Sequence, residues 1–150
     1  MQRTLVLLKP DAVQRGLVGE LISRLERRGL KIAGMKLMTM SEDLARRHYS
    51  EHVTKKFFPG LLKFITSSPL VAMVIEGPDA VNIVRATMGV TKPVDATPGS
   101  VRGDYALSIG MNLIHGSDSE ASAAKEIALF FSPQEIVSYT RDIDKWIIES

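Results

Sequence analysis

LVAMVI, residues Leu70 to Ile75, contains no polar side chain and is entered through Ser67-Ser68-Pro69. An apolar run this short, opened by turn-forming residues and containing β-branched side chains, reads as a buried strand. The elements on either side decide which sheet it belongs to. Towards the N-terminus, Phe57 to Ile65 suggests a short helix that ends before the Ser-Ser-Pro turn, Ser41-Glu42-Asp43 opens another by N-cap logic, and Leu30 to Thr39 reads as a strand. Further back, Val18, Leu21, Ile22 and Leu25 recur at i, i+3, i+4 and i+7 before a stop at Gly29. Thr4 to Leu8 (TLVLL) is a strand closed by Lys9-Pro10. Towards the C-terminus, Asp79 to Met88 has helical character, Gly89 to Gly103 is the longest irregular loop, and Ala106 to Ile114 returns to strand. A second helical stripe, Ala124, Ile127, Ala128 and Phe131, follows Ser117-Asp118-Ser119. The order βα, ββ, αβ, then helices favours an α+β sandwich, one antiparallel sheet with helices on a single face, over a doubly wound parallel sheet.

Composition narrows the function classes. A chain of 150 residues, 45% of them hydrophobic, fits one domain, 1–150. With no cysteine, disulfides and thiolate metal sites are excluded, and three scattered histidines make a poor structural zinc site. No apolar run approaches bilayer length and the N-terminus carries no export signal, so a soluble, cytoplasmic protein with no membrane partner is expected. The net charge of +2 is too small to imply nucleic acid, and the densest basic patch, Arg24 to Lys31, flanks an amphipathic helix as a solvated face would.

Neither a Gly-x-Gly-x-x-Gly fingerprint nor a P-loop occurs, since no glycine is followed by lysine. Phosphate recognition, if present, therefore falls to side chains: Lys9 after the first strand, Arg85 in a helix, Thr91 in the long loop and Arg102 at its end. Each alone would ordinarily be a surface residue. His115 ends an apolar run in NLIHGSDS (112–119) and is followed by glycine, which leaves room for a reacting group to approach. On spacing alone a core histidine bonded to a carbonyl is the preferred reading. A neutral imidazole oriented by a carboxylate is nonetheless a nucleophile, and Glu126 in the following helix is a candidate orienter.

NLIHGSDS, with LVLLKPDAVQRGLVGE (5–20), HYSEH (48–52), FFPGL (57–61) and TKPVDATPGSVRGD (91–104), closely resembles the nucleoside diphosphate kinase family from about Thr4 to Trp146. The resemblance implies a ferredoxin-like βαββαβ sandwich with a four-stranded antiparallel sheet. It also implies ping-pong transfer of the γ-phosphate from a nucleoside triphosphate to a nucleoside diphosphate through a phosphohistidine on His115. By the same resemblance Lys9 matches the lysine on the sugar hydroxyls and the moving phosphate, Tyr49 the tyrosine near the histidine, and Asn112 the asparagine on the 3′-hydroxyl. Arg85, Thr91 and Arg102 match the phosphate clamp, Phe57 and Ile109 the pair enclosing the base, and Ser117 and Glu126 the histidine's neighbours. His52 is a further candidate to reach a phosphate.

Mg2+ is implied as an ion carried by the nucleotide phosphates and water without a direct protein ligand, Asp118 being a candidate to hold one such water. ATP, GTP and deoxynucleotides are the implied substrates. A homohexamer is expected, with a tetramer as the alternative, because the loop containing Pro93 resembles one that packs near neighbouring subunits. Two departures, VTKK at 53–56 in place of a charged stretch ending Arg-Pro and Lys92 where asparagine is common, bear on loop geometry. RNA recognition on the same βαββαβ order would need exposed strand aromatics, and LVAMVI and ALSIGMNLI supply none beyond Tyr105 at an edge.

Overall fold

The computed structural model describes residues 1–149. Its strands are β1 (Gln2–Leu8), β2 (Lys31–Met38), β3 (Leu70–Gly77) and β4 (Ile114–Gly116), in the order β2-β3-β1-β4 with every neighbouring pair antiparallel. LVAMVI is the body of β3, between β2 and β1, where Leu8 lies opposite Val71 and Gln2 opposite Gly77. The helices are α1 (Pro10–Gln14), α2 (Val18–Arg27), α3 (Glu42–His48), α4 (Phe58–Ile65), α5 (Ala80–Met88), α6 (Val101–Tyr105) and α7 (Glu120–Phe130). This is the ferredoxin-like α+β class, with β1-α2-β2 and β3-α5-β4 as its two halves.

The layering differs from the single covered face expected. Val6, Leu8, Val71, Met73 and Ile75 pack with Leu21 and Leu25 of α2 and Val84 and Met88 of α5. Their alternates Leu5, Leu7, Ala72 and Val74 pack with Ala45 of α3, Ile65 of α4 and Phe130 of α7. Helices therefore cover both faces, because α3 and α4, inserted between β2 and β3, and α7, following β4, return across the second one. A strand buried on both sides has no polar face to alternate, which is why LVAMVI is apolar throughout.

Capping serines start the two helices that matter most for the site. Ser41 Oγ accepts from Leu44 N at 3.1 Å, and Ser119 Oγ accepts from Ser122 N at 3.0 Å, each satisfying an otherwise unpaired first-turn amide. The apolar stripe of α7 falls on Ala123, Ile127 and Phe130; Ala124 and Ala128 face solvent. Alanine carries too little apolar surface to fix a helix's rotation in sequence.

The strand expected over 106–114 is also corrected. Ile109–Met111 is a 3₁₀ turn and β4 begins only at Ile114. Backbone groups just before it are claimed by side chains rather than by a ladder: Arg102 Nε donates to Asn112 O at 3.2 Å, and Leu113 N donates to Asp11 Oδ2 at 3.0 Å. The long loop likewise contains structure, a 3₁₀ turn at Pro93–Asp95 and α6, folded against Gly89, where φ is +86° and a Cβ would collide with Ser100.

Candidate active site

His115 pairs with Leu7 across the β1–β4 ladder, so its ring projects on the face covered by α3 and α7. Glu126, on α7, meets it there: Nε2 and Oε1 lie 2.8 Å apart. The same oxygen accepts from Ser117 Oγ at 2.9 Å, and that buried hydroxyl in turn accepts from Leu5 N at 3.3 Å, tying the carboxylate to β1. Burial pushes the Glu126 carboxyl up, but the hydrogen bond and charge of His115 and the hydrogen bond from Ser117 hold it below its usual range. An ionised carboxylate only accepts, so Nε2 carries a proton, and in the neutral ring the lone pair lies on Nδ1. Nδ1 has no hydrogen-bond partner among the described residues.

The ring opens on a cleft of about 380 Å³ whose lining includes Lys9, Arg85, Thr91, Arg102 and Asn112. Lys9 Nζ donates to Asn112 Oδ1 at 2.7 Å, and Asn112 Nδ2 donates to Thr91 O at 3.1 Å, so three segments distant in sequence meet in one chain of contacts. Burial, reinforced by Arg102 and opposed by Asp11, lowers the Lys9 ammonium to about 8. Arg102 is only 5% exposed and its guanidinium donates to three carbonyls: Asn112 O at 3.2 Å, Gly89 O at 3.0 Å and Ile114 O at 2.6 Å. Burial, then the nearby Arg85, lowers it to about 10. Arg85 Nη1 donates to Gly116 O at 3.3 Å. Arg102 and Arg85 are held by backbone carbonyls and Lys9 by the Asn112 side chain, which is the preorganisation that charge stabilisation requires.

Tyr49, His52, Asp118 and Glu126 also line the cleft; Ser117 lies behind it. Phe57 and Ile109 fall outside the lining and are 56% and 59% exposed. The Phe57 ring lies 5.6 Å from that of His52, whose Nδ1 is 2.8 Å from Lys55 Nζ, so the unusual VTKK segment contributes a cation beside this aromatic. Burial and Glu126 raise the Tyr49 phenol. No group of three or more His, Asp or Glu side chains suited to a metal ion occurs among the described residues.

Sequence reasoning assigned no role to His48 or Asp11. The His48 ring stands edge-to-face with His115, centroids 4.9 Å apart at 84°, and rests 5.2 Å from Phe130 and 4.5 Å from Tyr49. Burial, then His115, lowers it to about 4, with Glu126 opposing, so it is a neutral wall at working pH. Its signal in the sequence was adjacency to Tyr49 at the end of a capped helix.

An imidazole paired with a carboxylate in a cleft lined by Lys9, Arg85 and Arg102, on a ferredoxin-like sheet, is an arrangement suited to phosphoryl transfer. The family model described as nucleoside diphosphate kinase matches residues 2–136. The nucleoside diphosphate kinase of Thermomicrobium roseum is 58% identical over 148 residues, 99% of each chain, and that of Carboxydothermus hydrogenoformans 56% identical over 149 residues, 99% of this chain and all of that one. Among solved structures, a halophilic nucleoside diphosphate kinase from Halobacterium salinarum in complex with CDP superposes with a TM-score of 0.97 at 53% identity, covering 99% of both chains. The chain belongs to the nucleoside diphosphate kinase family.

Proposed function

We propose that His115 Nδ1 is the atom that carries phosphate in nucleoside diphosphate kinase chemistry, the Glu126–His115 contact being the observation that supports this most. The Nδ1 lone pair attacks the γ-phosphorus of a nucleoside triphosphate. A P–N bond forms while the bond to the bridging oxygen breaks, and its electrons leave with the diphosphate. A second diphosphate then takes the phosphoryl group in the reverse sense, so no proton need leave the site. The proton on Nε2 stays with Glu126, which stabilises the cationic character of the phosphorylated ring. Lys9, Arg85 and Arg102 stabilise charge on the transferring group, with Thr91 completing the clamp and Tyr49 and His52 lining its approach.

Asn112 and Lys9 register the sugar. Phe57 and Ile109 hold the base by its faces, which distinguish bases poorly, so ATP, GTP and deoxynucleotides all serve. Mg2+ would be carried on the nucleotide phosphates, where it would neutralise part of their charge. Among the cleft carboxylates Glu126 is committed to His115, whereas Asp118, held below its usual range by hydrogen bonding from Ser122 and by Arg85, suits a water of that ion. Residues 1–150 act as one domain in the cytoplasm, as a homohexamer with a tetramer the alternative; sedimentation of a stable monomer at micromolar concentration would reject both.

The test of the transfer reading is incubation with γ-labelled ATP. An acid-labile, alkali-stable label on the protein and parallel double-reciprocal lines are expected. Intersecting lines without label would establish direct transfer instead.

A further inference from the structure

Leu113 is fully buried and has φ +74°, a left-handed conformation that costs a branched side chain free energy. Ile114 N donates to Asn112 O at 2.9 Å, closing a three-residue γ-turn of the rare, strained hand around it. The first residue of this turn is Asn112, and its third, Ile114, opens β4, with His115 next. Three groups hold the turn from outside: Lys9 N donates to Leu113 O at 2.9 Å, Arg102 binds the carbonyls of Asn112 and Ile114, and Leu113 N donates to Asp11 Oδ2 at 3.0 Å. Asp11 is itself 9% exposed, and its Oδ1 has no hydrogen-bond partner among the described residues. A buried carboxylate is costly to retain, and packing alone would be met by an apolar side chain of similar volume.

We infer that Asp11 is a positioning residue for the transfer site, its carboxylate holding Leu113 in the strained turn that aims Asn112 and His115 into the cleft. The same carboxylate also acts on Lys9, whose own amide binds Leu113 O: burial and Arg102 lower the proton affinity of its ammonium, and Asp11 opposes them. The catalytic arm of the inference rests on the phosphotransfer reading; the structural arm does not.

Two variants separate the arms. Asp11→Ala removes the acceptor, and amide exchange of Leu113 should accelerate about 10- to 100-fold, with single-turnover labelling of His115 slowed by a similar factor, as loss of a supporting contact behind a reactive group typically does. Asp11→Asn keeps an oxygen for Leu113 N but loses the charge. Its Leu113 exchange should stay within about threefold of the unsubstituted protein while the alkaline limb of kcat/KM moves to lower pH. Unchanged Leu113 exchange and labelling in Asp11→Ala would overturn the turn-holding role, and an unmoved limb in Asp11→Asn would overturn the charge role. Should Asp11→Ala fail to fold, Asp11→Asn still decides through its pH limb. If the unsubstituted protein takes no label, the phosphotransfer reading fails, whereas Leu113 exchange continues to test the turn.

Discussion

On the face of the sheet covered by α1, α2 and α5, Val6, Leu8, Met73 and Ile75 meet Leu21, Leu25 and Val84, and the layer is held by apolar contact. On the face covered by α3, α4 and α7, the same strands present Leu5, Leu7, Ala72 and Val74 to a layer that also contains His48, His115 and Glu126. Both layers have an apolar core, and the second also carries the mutually contacting side chains of His48, His115 and Glu126. The frame helices α2 and α5 hold the sheet, α5 also bringing Arg85 to the cleft, whereas α3 and α7, outside that frame, bring His48 and Glu126 against His115. Substitutions of the apolar side chains that pack the first layer should therefore act on stability, and those of the titratable side chains in the second on reactivity.

The largest expected separation comes from His115→Ala. The side chain is part-exposed at a strand that β1 and the backbone contacts of Arg102 already hold, so the folded state should survive while phosphoenzyme and nearly all turnover are lost. Labelled protein from this variant would remove His115 from its proposed role. Leu21→Ala on the opposite face should do the converse. Leu21 is fully buried, and large-to-small core changes of this kind cost about 2–5 kcal/mol, read as a lower denaturation midpoint with turnover per folded molecule unchanged. If Leu21→Ala reduced turnover of the folded fraction as strongly as its stability, the two faces would not be separable in this way.

The same division explains what could be read from sequence. Leu21 and Leu25 announce themselves by helical spacing, and LVAMVI by its unbroken apolarity, because burial imposes a period on any chain. His115, Glu126, Lys9 and Arg102 have no period. Their meeting depends on contacts such as Lys9 to Asn112 that bridge about a hundred residues, and only the family resemblance indicated it. Asp11 and His48 were harder to assign for a further reason: their partners are a backbone amide and the ring of His115 met edge-to-face, and beyond the adjacency of His48 to Tyr49 these leave no pattern in composition or spacing. The supposed strand over 106–114 failed likewise, since Arg102 and Asp11 replace its ladder with side-chain bonds.

A smaller effect is expected at Glu126, which orients rather than reacts. Glu126→Gln preserves shape and removes the charge opposite Nε2, so turnover should fall about tenfold to a hundredfold with the phosphoenzyme still forming, the range typical of a lost orienting partner. Loss as complete as that of His115→Ala would mean that the carboxylate does more than fix the tautomer. Stability should change with the same pH sense as at a buried lysine, in a lower window: the Glu126 carboxyl is held low in the fold, so its contribution is present above the ordinary carboxylate range and is lost as pH falls through the lowered value.

The smallest effect is the most selective, because Lys9 should move activity and stability in opposite directions. Its ammonium is lowered from 10.5 to about 8 chiefly by burial, so between these values the unfolded chain binds more protons than the folded one. The slope of unfolding free energy with pH is positive wherever that holds. This site's contribution to stability should therefore rise from pH 8 towards 10.5, as the buried charge that the fold disfavours is lost. The phosphate clamp loses a cation over the same step. Because kcat/KM reports groups of the free enzyme, it should fall about threefold between pH 7.5 and 8.5, as a single deprotonation centred near 8 requires. Lys9→Met should abolish both trends while lowering kcat/KM throughout. Activity and stability declining together across this range would show that the alkaline limb reports general loosening of the fold, and Lys9 would then have to be charged well above pH 8 in the free protein.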